Sequence, residues 1–152
     1  MRNGQAFGGG ILRDHEGKMV FAFHKVLGAA EVLTAECLSL VHGLQLCRER
    51  NLEAFQVEVD SQALVQLIQS NAVAVWPLSN ILRRARQLMT LAEVHVEHIC
   101  REANAVADRL AALDLSSDTI FLSEGELPPT VRAPMQLDSR QVPSFRSFSV
   151  RE

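Results

Sequence analysis

Arg101-Glu102-Ala103-Asn104-Ala105-Val106-Ala107-Asp108-Arg109-Leu110-Ala111 puts one aspartate on an otherwise apolar helical turn. It follows directly on a strand-like run from Val94 to Ile99. Two acids upstream stand in equally particular settings. Glu36, preceded by Ala35, heads a stripe with Leu40, Gly43 and Cys47 at i+4, i+7 and i+11. A charge at the edge of a core is costly unless it is paired or bound to a metal. Asp60 ends the alternating run Phe55-Gln56-Val57-Glu58-Val59 and is followed by Ser61.

Around these acids the pattern alternates between strand and helix. Gly8 to Arg13 and Met19 to His24 read as a hairpin, joined by Asp14-His15-Glu16-Gly17-Lys18 with Gly17 as the positive-φ residue. Leu33 to Glu49 carries apolar residues at helical spacing. A strand ends at Asp60, and a short helix runs from Ser61 to Gln69 with Asp60 or Ser61 as its N-cap. Trp76-Pro77 opens a further helix whose apolar face is Leu78, Ile81, Leu82, Ala85, Leu88 and Met89. Val94 to Ile99 is the next strand and Ala103 to Leu113 the last helix. Beyond Leu113, the pairs Pro128-Pro129, Ala133-Pro134 and Val142-Pro143 interrupt any periodicity. Residues 114–152 are therefore expected to form a tail, mostly extended or disordered, with a short piece around Phe121, Phe145 or Phe148 able to dock. The order predicts an α/β fold, one domain over residues 1–113.

Composition narrows the function classes. The 152 residues are 47% hydrophobic and 22% charged, in the range of a globular protein. No apolar run is long enough to span a bilayer, and no apolar stretch follows Met1-Arg2-Asn3-Gly4-Gln5 to make a signal peptide. The net charge of −3 argues against a strongly basic, non-specific nucleic-acid binder. Cys37, Cys47 and Cys100 form no CxxC pair. Cys37 and Cys47 read as small core residues, and a reducing, intracellular setting is expected, nuclear or cytoplasmic.

Four stretches carry a resemblance: Gly8-Gly9-Gly10-Ile11-Leu12-Arg13-Asp14, Thr34-Ala35-Glu36, Val57-Glu58-Val59-Asp60-Ser61 and Arg101 to Asp108. With this order of elements they resemble the type 1 ribonuclease H fold. They are most similar to the reverse-transcriptase-like ribonuclease H domains of plant genomes, often found in or near LINE-type retroelements. The resemblance covers roughly residues 3–113. It implies a mixed sheet of five strands in the order 3-2-1-4-5, flanked by helices. It also implies endonucleolytic hydrolysis of the RNA strand of RNA–DNA hybrids with two Mg2+ (or Mn2+) ions. Glu36, Asp60 and Asp108 match three of the family's four catalytic, metal-binding acids. The fourth belongs to the first, central strand, whose place would precede Asn3-Gly4. The first strand and its aspartate are therefore expected to be missing, and the chain to be a fragment of a longer reading frame. A central slot without a strand would leave two buried sheet edges unpaired. The tail or a partner would have to fill it, with Ile120-Phe121-Leu122 a candidate.

Mg2+ prefers hard oxygen ligands, so clustered carboxylates have a purpose together that none has alone. Singly, Asp60 could be a helix cap, Asp108 a solvent-facing acid, and Glu36 an acid near a helix start. Asn104 matches a position used near the substrate, or else caps the last helix. Arg83 and Arg84, with Arg86, could contact phosphates, or form a solvated helix face. His98 lies within the strand run, and His15, His24, His42 and His95 read as surface or core-edge residues. The expected activity is hybrid cleavage only when the upstream strand is supplied. The alternatives are a catalytically inactive nucleic-acid- or protein-binding remnant, and a metal-independent interaction domain.

Overall fold

Asp14 builds the first turn. Its carboxylate accepts hydrogen bonds from the N–H groups of Glu16 and Lys18, both at 2.9 Å. Gly17 takes φ 82°, the left-handed conformation expected of it. The turn folds β1 (Ala6–Arg13) antiparallel onto β2 (Met19–Gly28). The structure, a computed structural model, describes residues 4–70, 72–137 and 144–148. After the hairpin come α1 (Val32–Glu49), β3 (Gln56–Val59), α2 (Gln62–Gln69), α3 (Leu78–Ala92) and β4 (Val96–His98). A single 3-10 turn, Arg101–Asn104, leads into α4 (Ala105–Ala111). These elements follow the expected order, most ends shifted by a residue or two and β2 running four residues past His24 to Gly28.

β1 is buried along its whole length, and helices press on both of its faces. A Cβ on Gly8 would lie 2.6 Å from Ser39 Oγ of α1. One on Gly9 would collide with the Ala111 N–H and lie 2.7 Å from the Ala107 carbonyl of α4. The glycine run thus sets how closely α1 and α4 approach the sheet. On the α1 side, Leu12, Phe21 and Phe23 pack with Cys37, Leu40 and Leu44, with β3, α2 and α3 closing the core. On the α4 side, Ile11 and Ala22 pack with Val106 and Leu110.

The segment after Leu113 holds more structure than a tail. β5 (Thr119–Phe121) pairs antiparallel with β2, and α5 (Pro129–Leu137) follows. Phe121, Leu127, Val131 and Met135 are buried in the α4-side core. The prolines misdirect the sequence reading here. Proline is unfavourable inside a helix but favoured at its first position, where Pro129 stands. Val131 and Met135 then share one face at i, i+4.

The central slot is filled, and not by Ile120-Phe121-Leu122, which lies at the outer edge beyond β2. β6 (Ser144–Phe148) enters between β1 and β3. It runs antiparallel to β1, with Ile11 opposite Arg146, and parallel to β3, with Val57 opposite Phe145. Among the described residues the strand order is β4-β3-β6-β1-β2-β5. From β2 inward this is the order 3-2-1-4-5 implied by the resemblance, with β6 standing in for the first strand.

One histidine departs from expectation. His24 is fully buried rather than at a core edge. Its Nδ1 lies 2.8 Å from the Leu110 carbonyl, and its ring stacks on Phe7. Cys37 and Cys47 are buried as expected, and burial pushes both thiols up to about 12.

Candidate functional site

β3, β4 and β6 run parallel, and ligands of such sheets gather at the carboxyl ends of the strands. Asp60 stands at that end of β3. It does not cap α2. Ser61 is the N-cap, its Oγ accepting from the Leu64 N–H at 3.2 Å. The Asp60 carboxylate therefore stays available for the site.

α1 brings Glu36 alongside. Burial pushes the Glu36 carboxyl above its usual range; a hydrogen bond from the Ser61 hydroxyl opposes this, the Asp60 charge adds to it, and Arg101 pulls it down again. One hydroxyl thus joins the cap of α2 to the carboxylate of α1. Asp60 is also pushed up, first by burial and further by Asp108, while the Asn104 amide and the Arg101 charge pull it down. Its Oδ2 is buried and accepts no hydrogen bond. The acids therefore form a row, with Asp60 between Glu36 and Asp108.

The 3-10 turn before α4 serves this row from below. Asn104 is 0% exposed, and its side chain makes no capping bond to α4. It donates to Asp60 instead. The amide thus lowers the Asp60 carboxyl against the push of burial. Arg101, at the start of the turn, lies 3.9 Å from Asp108 Oδ1. Sequence reasoning missed Arg101 as part of the site. Its only signal was adjacency to Asn104 and Asp108.

The remaining expected residues scatter. Arg83 is exposed on α3, and Arg84, half-buried, donates to Gln87 at 2.9 Å. Arg86 faces the other way, donating to the carbonyls of Leu67 and Ser70 at 2.8 Å each. It closes the C-terminal end of α2 rather than facing a ligand. His98 is exposed at the end of β4. The cleft lined by Gln69, Ser70, Arg86 and Glu93 opens beside the N-terminal end of β4, away from the acids.

The donor set suits a hard divalent cation: carboxylate oxygens, one of them buried without a hydrogen bond. Among the described residues, however, no three His, Cys, Asp or Glu side chains close on one point. Mg2+ tolerates such openness, since it keeps several waters and is commonly held by one or two carboxylates plus substrate phosphate. The row therefore fits an ion held pairwise, by Asp60 with a neighbour on either side.

The sequence model of the family described as reverse transcriptase-like matches residues 1–113. The chain belongs to this family. Its domain is RNase H-like, as solved structures also indicate. The RNase H1 of Halobacterium salinarum NRC-1 superposes with a TM-score of 0.66 at 24% identity, over 74% of this chain and 88% of that one. An RNase H1 isolated from compost gives 0.62 at 23% identity, over 73% and 86%. At these identities the likeness concerns the fold. An Arabidopsis thaliana protein provisionally named a ribonuclease H protein is 28% identical over 137 residues, 90% of this chain. The chain spans 22% of that relative's length. No described helix is long and apolar enough to cross a membrane.

Proposed function

We propose that this domain binds RNA–DNA hybrids at the carboxyl end of β3, where Glu36, Asp60 and Asp108 hold Mg2+ or Mn2+ against the RNA backbone. The observation that carries this reading is the row itself: three carboxylates from α1, β3 and α4, with the middle one oriented by a buried amide. A bound divalent cation would supply charge neutralisation at a phosphate and an activated water. The chain's own groups do the positioning. Ser61 holds Glu36 and Asn104 holds Asp60. Arg83 and Arg84 are the proposed phosphate contacts on the neighbouring helix. The family chemistry is hydrolysis of the RNA strand. In this chain the central strand reads Ser144-Phe145-Arg146-Ser147-Phe148 and brings no carboxylate beside Asp60. Binding is therefore expected to outlast cleavage.

The test is a labelled RNA–DNA hybrid, with DNA duplex as competitor, in Mg2+ and in Mn2+. The expected result is preferential hybrid binding with little or no RNA cleavage. Equal binding of duplex and hybrid would sink the reading. The carboxylate-free β6 favours a second reading, an inactive binding remnant. In that case Asp60→Asn leaves hybrid affinity unchanged.

A further inference from the structure

One acid of the row has a cation beside it. Glu36, Asp60 and Asp108 carry three negative charges when ionised, on elements that converge at one end of the sheet. Carboxylates so placed repel one another, and in a ligand-free protein something must offset that repulsion. The guanidinium of Arg101 is 3.9 Å from Asp108 Oδ1. This is too long for a good hydrogen bond but within reach of an ion pair. Asp108 is the member of the row that Arg101 meets directly.

Its placement is that of a removable group. The Arg101 side chain is 61% exposed, against 19% for Asp108. The cation sits on the solvent side of the acids, so withdrawing it opens no core. The other end of its turn is anchored by the fully buried Asn104.

We propose that Arg101 is the resident counter-ion of Asp108, the charge that a divalent cation entering the acid row must displace. This deepens the divalent-cation reading of the same acids and rests on it for its second half. A guanidinium and a divalent cation over the same carboxylates repel each other, so the two alternate there. Arg101 is a positioning residue of the site: it offsets the charge of Asp108 and tunes how tightly the acids take up an ion.

The test uses the full chain as wild type, Arg101→Gln, Arg101→Lys, Asp108→Asn and the double variant Arg101→Gln/Asp108→Asn. Melting is followed first in chelator and then across Mg2+ and Mn2+ titrations. In chelator, Arg101→Gln should melt lower than wild type, Arg101→Lys close to it. Asp108→Asn should recover part of the loss, a coupling that a purely structural arginine would not show. In the titrations Arg101→Gln should reach half-saturation at an ion concentration on the order of tenfold lower than wild type. Additive effects of Arg101→Gln and Asp108→Asn would overturn the proposal, as would ion affinity unchanged or weakened in Arg101→Gln. Coupling without an ion response in any variant would uphold Arg101 as counter-ion and overturn the metal reading of the acids instead.

Discussion

Ser61 closes α2 and holds Glu36 with a single hydroxyl. Ser61→Ala removes both bonds and should cost about 1–2 kcal/mol by urea denaturation, against about 1 for an ordinary cap. The acids themselves work against stability. Glu36 and Asp60 have carboxyls raised by burial, and each also feels a like charge. For such a group the stability contribution is fully present below the unfolded value, about 4, and is lost as pH rises through the higher folded value. Glu36→Gln, in metal-free buffer, should therefore melt above wild type at pH 7, and the gap should close on acidification towards pH 4. A gap independent of pH would refute this. In the sequence only Glu36 signals such a cost, because it tops an apolar stripe; Asp60 and Asp108, taken singly, read as a helix cap and a solvent-facing acid. The sequence allows either Asp60 or Ser61 as the cap, because both side chains can cap; the contact of Ser61 Oγ with the Leu64 N–H decides it.

At the scale of elements, close approach governs the site. α4 carries Asp108, and its distance from β1 is set by Gly9, which has no room for a Cβ. Gly9→Ala should push α4 outward, cost about 1–3 kcal/mol by overpacking and weaken any ion binding together with stability. Arg86 exerts a different constraint, holding the carbonyls of Leu67, Ile68 and Ser70 at the end of α2 through its guanidinium. The basic cluster on α3 was visible in the sequence, but not its division. Arg86 turns inward towards α2 while Arg83 faces solvent, a difference of helix phase against a neighbour that periodicity alone does not supply. α5 was hidden for another reason: Pro128-Pro129 marks a break and, equally, a helix start. Val131 and Met135 decide between the two only when there is an α4 surface to bury them against.

The whole molecule turns on β6. The resemblance implied a central strand ahead of Asn3-Gly4, and the fold holds a central strand drawn from the other end of the chain. Two neighbours, β1 and β3, complete their pairing through it. A proline in this strand removes a donor from the middle of the sheet. Ser147→Pro should lower the melting temperature and release hydrogen-exchange protection in β1 and β3 while sparing β2. Protection unchanged in β1 and β3 would show that β6 is not needed there. The need for a filler came with the sheet order that the resemblance implies. The choice of filler was not, because Ser144-Phe145-Arg146-Ser147-Phe148 is short, half polar and preceded by Val142-Pro143. The family carboxylate does not come with it, which is why binding and hydrolysis separate in this account.

The most direct test of the account is hybrid binding by fluorescence anisotropy, with and without Mn2+, for wild type and Asp60→Asn at one fixed salt concentration. Wild type should bind the hybrid more tightly when Mn2+ is added, and Asp60→Asn should lose that gain. Hybrid affinity that ignores Mn2+ in wild type, or an Asp60→Asn variant that keeps the full gain, would contradict it.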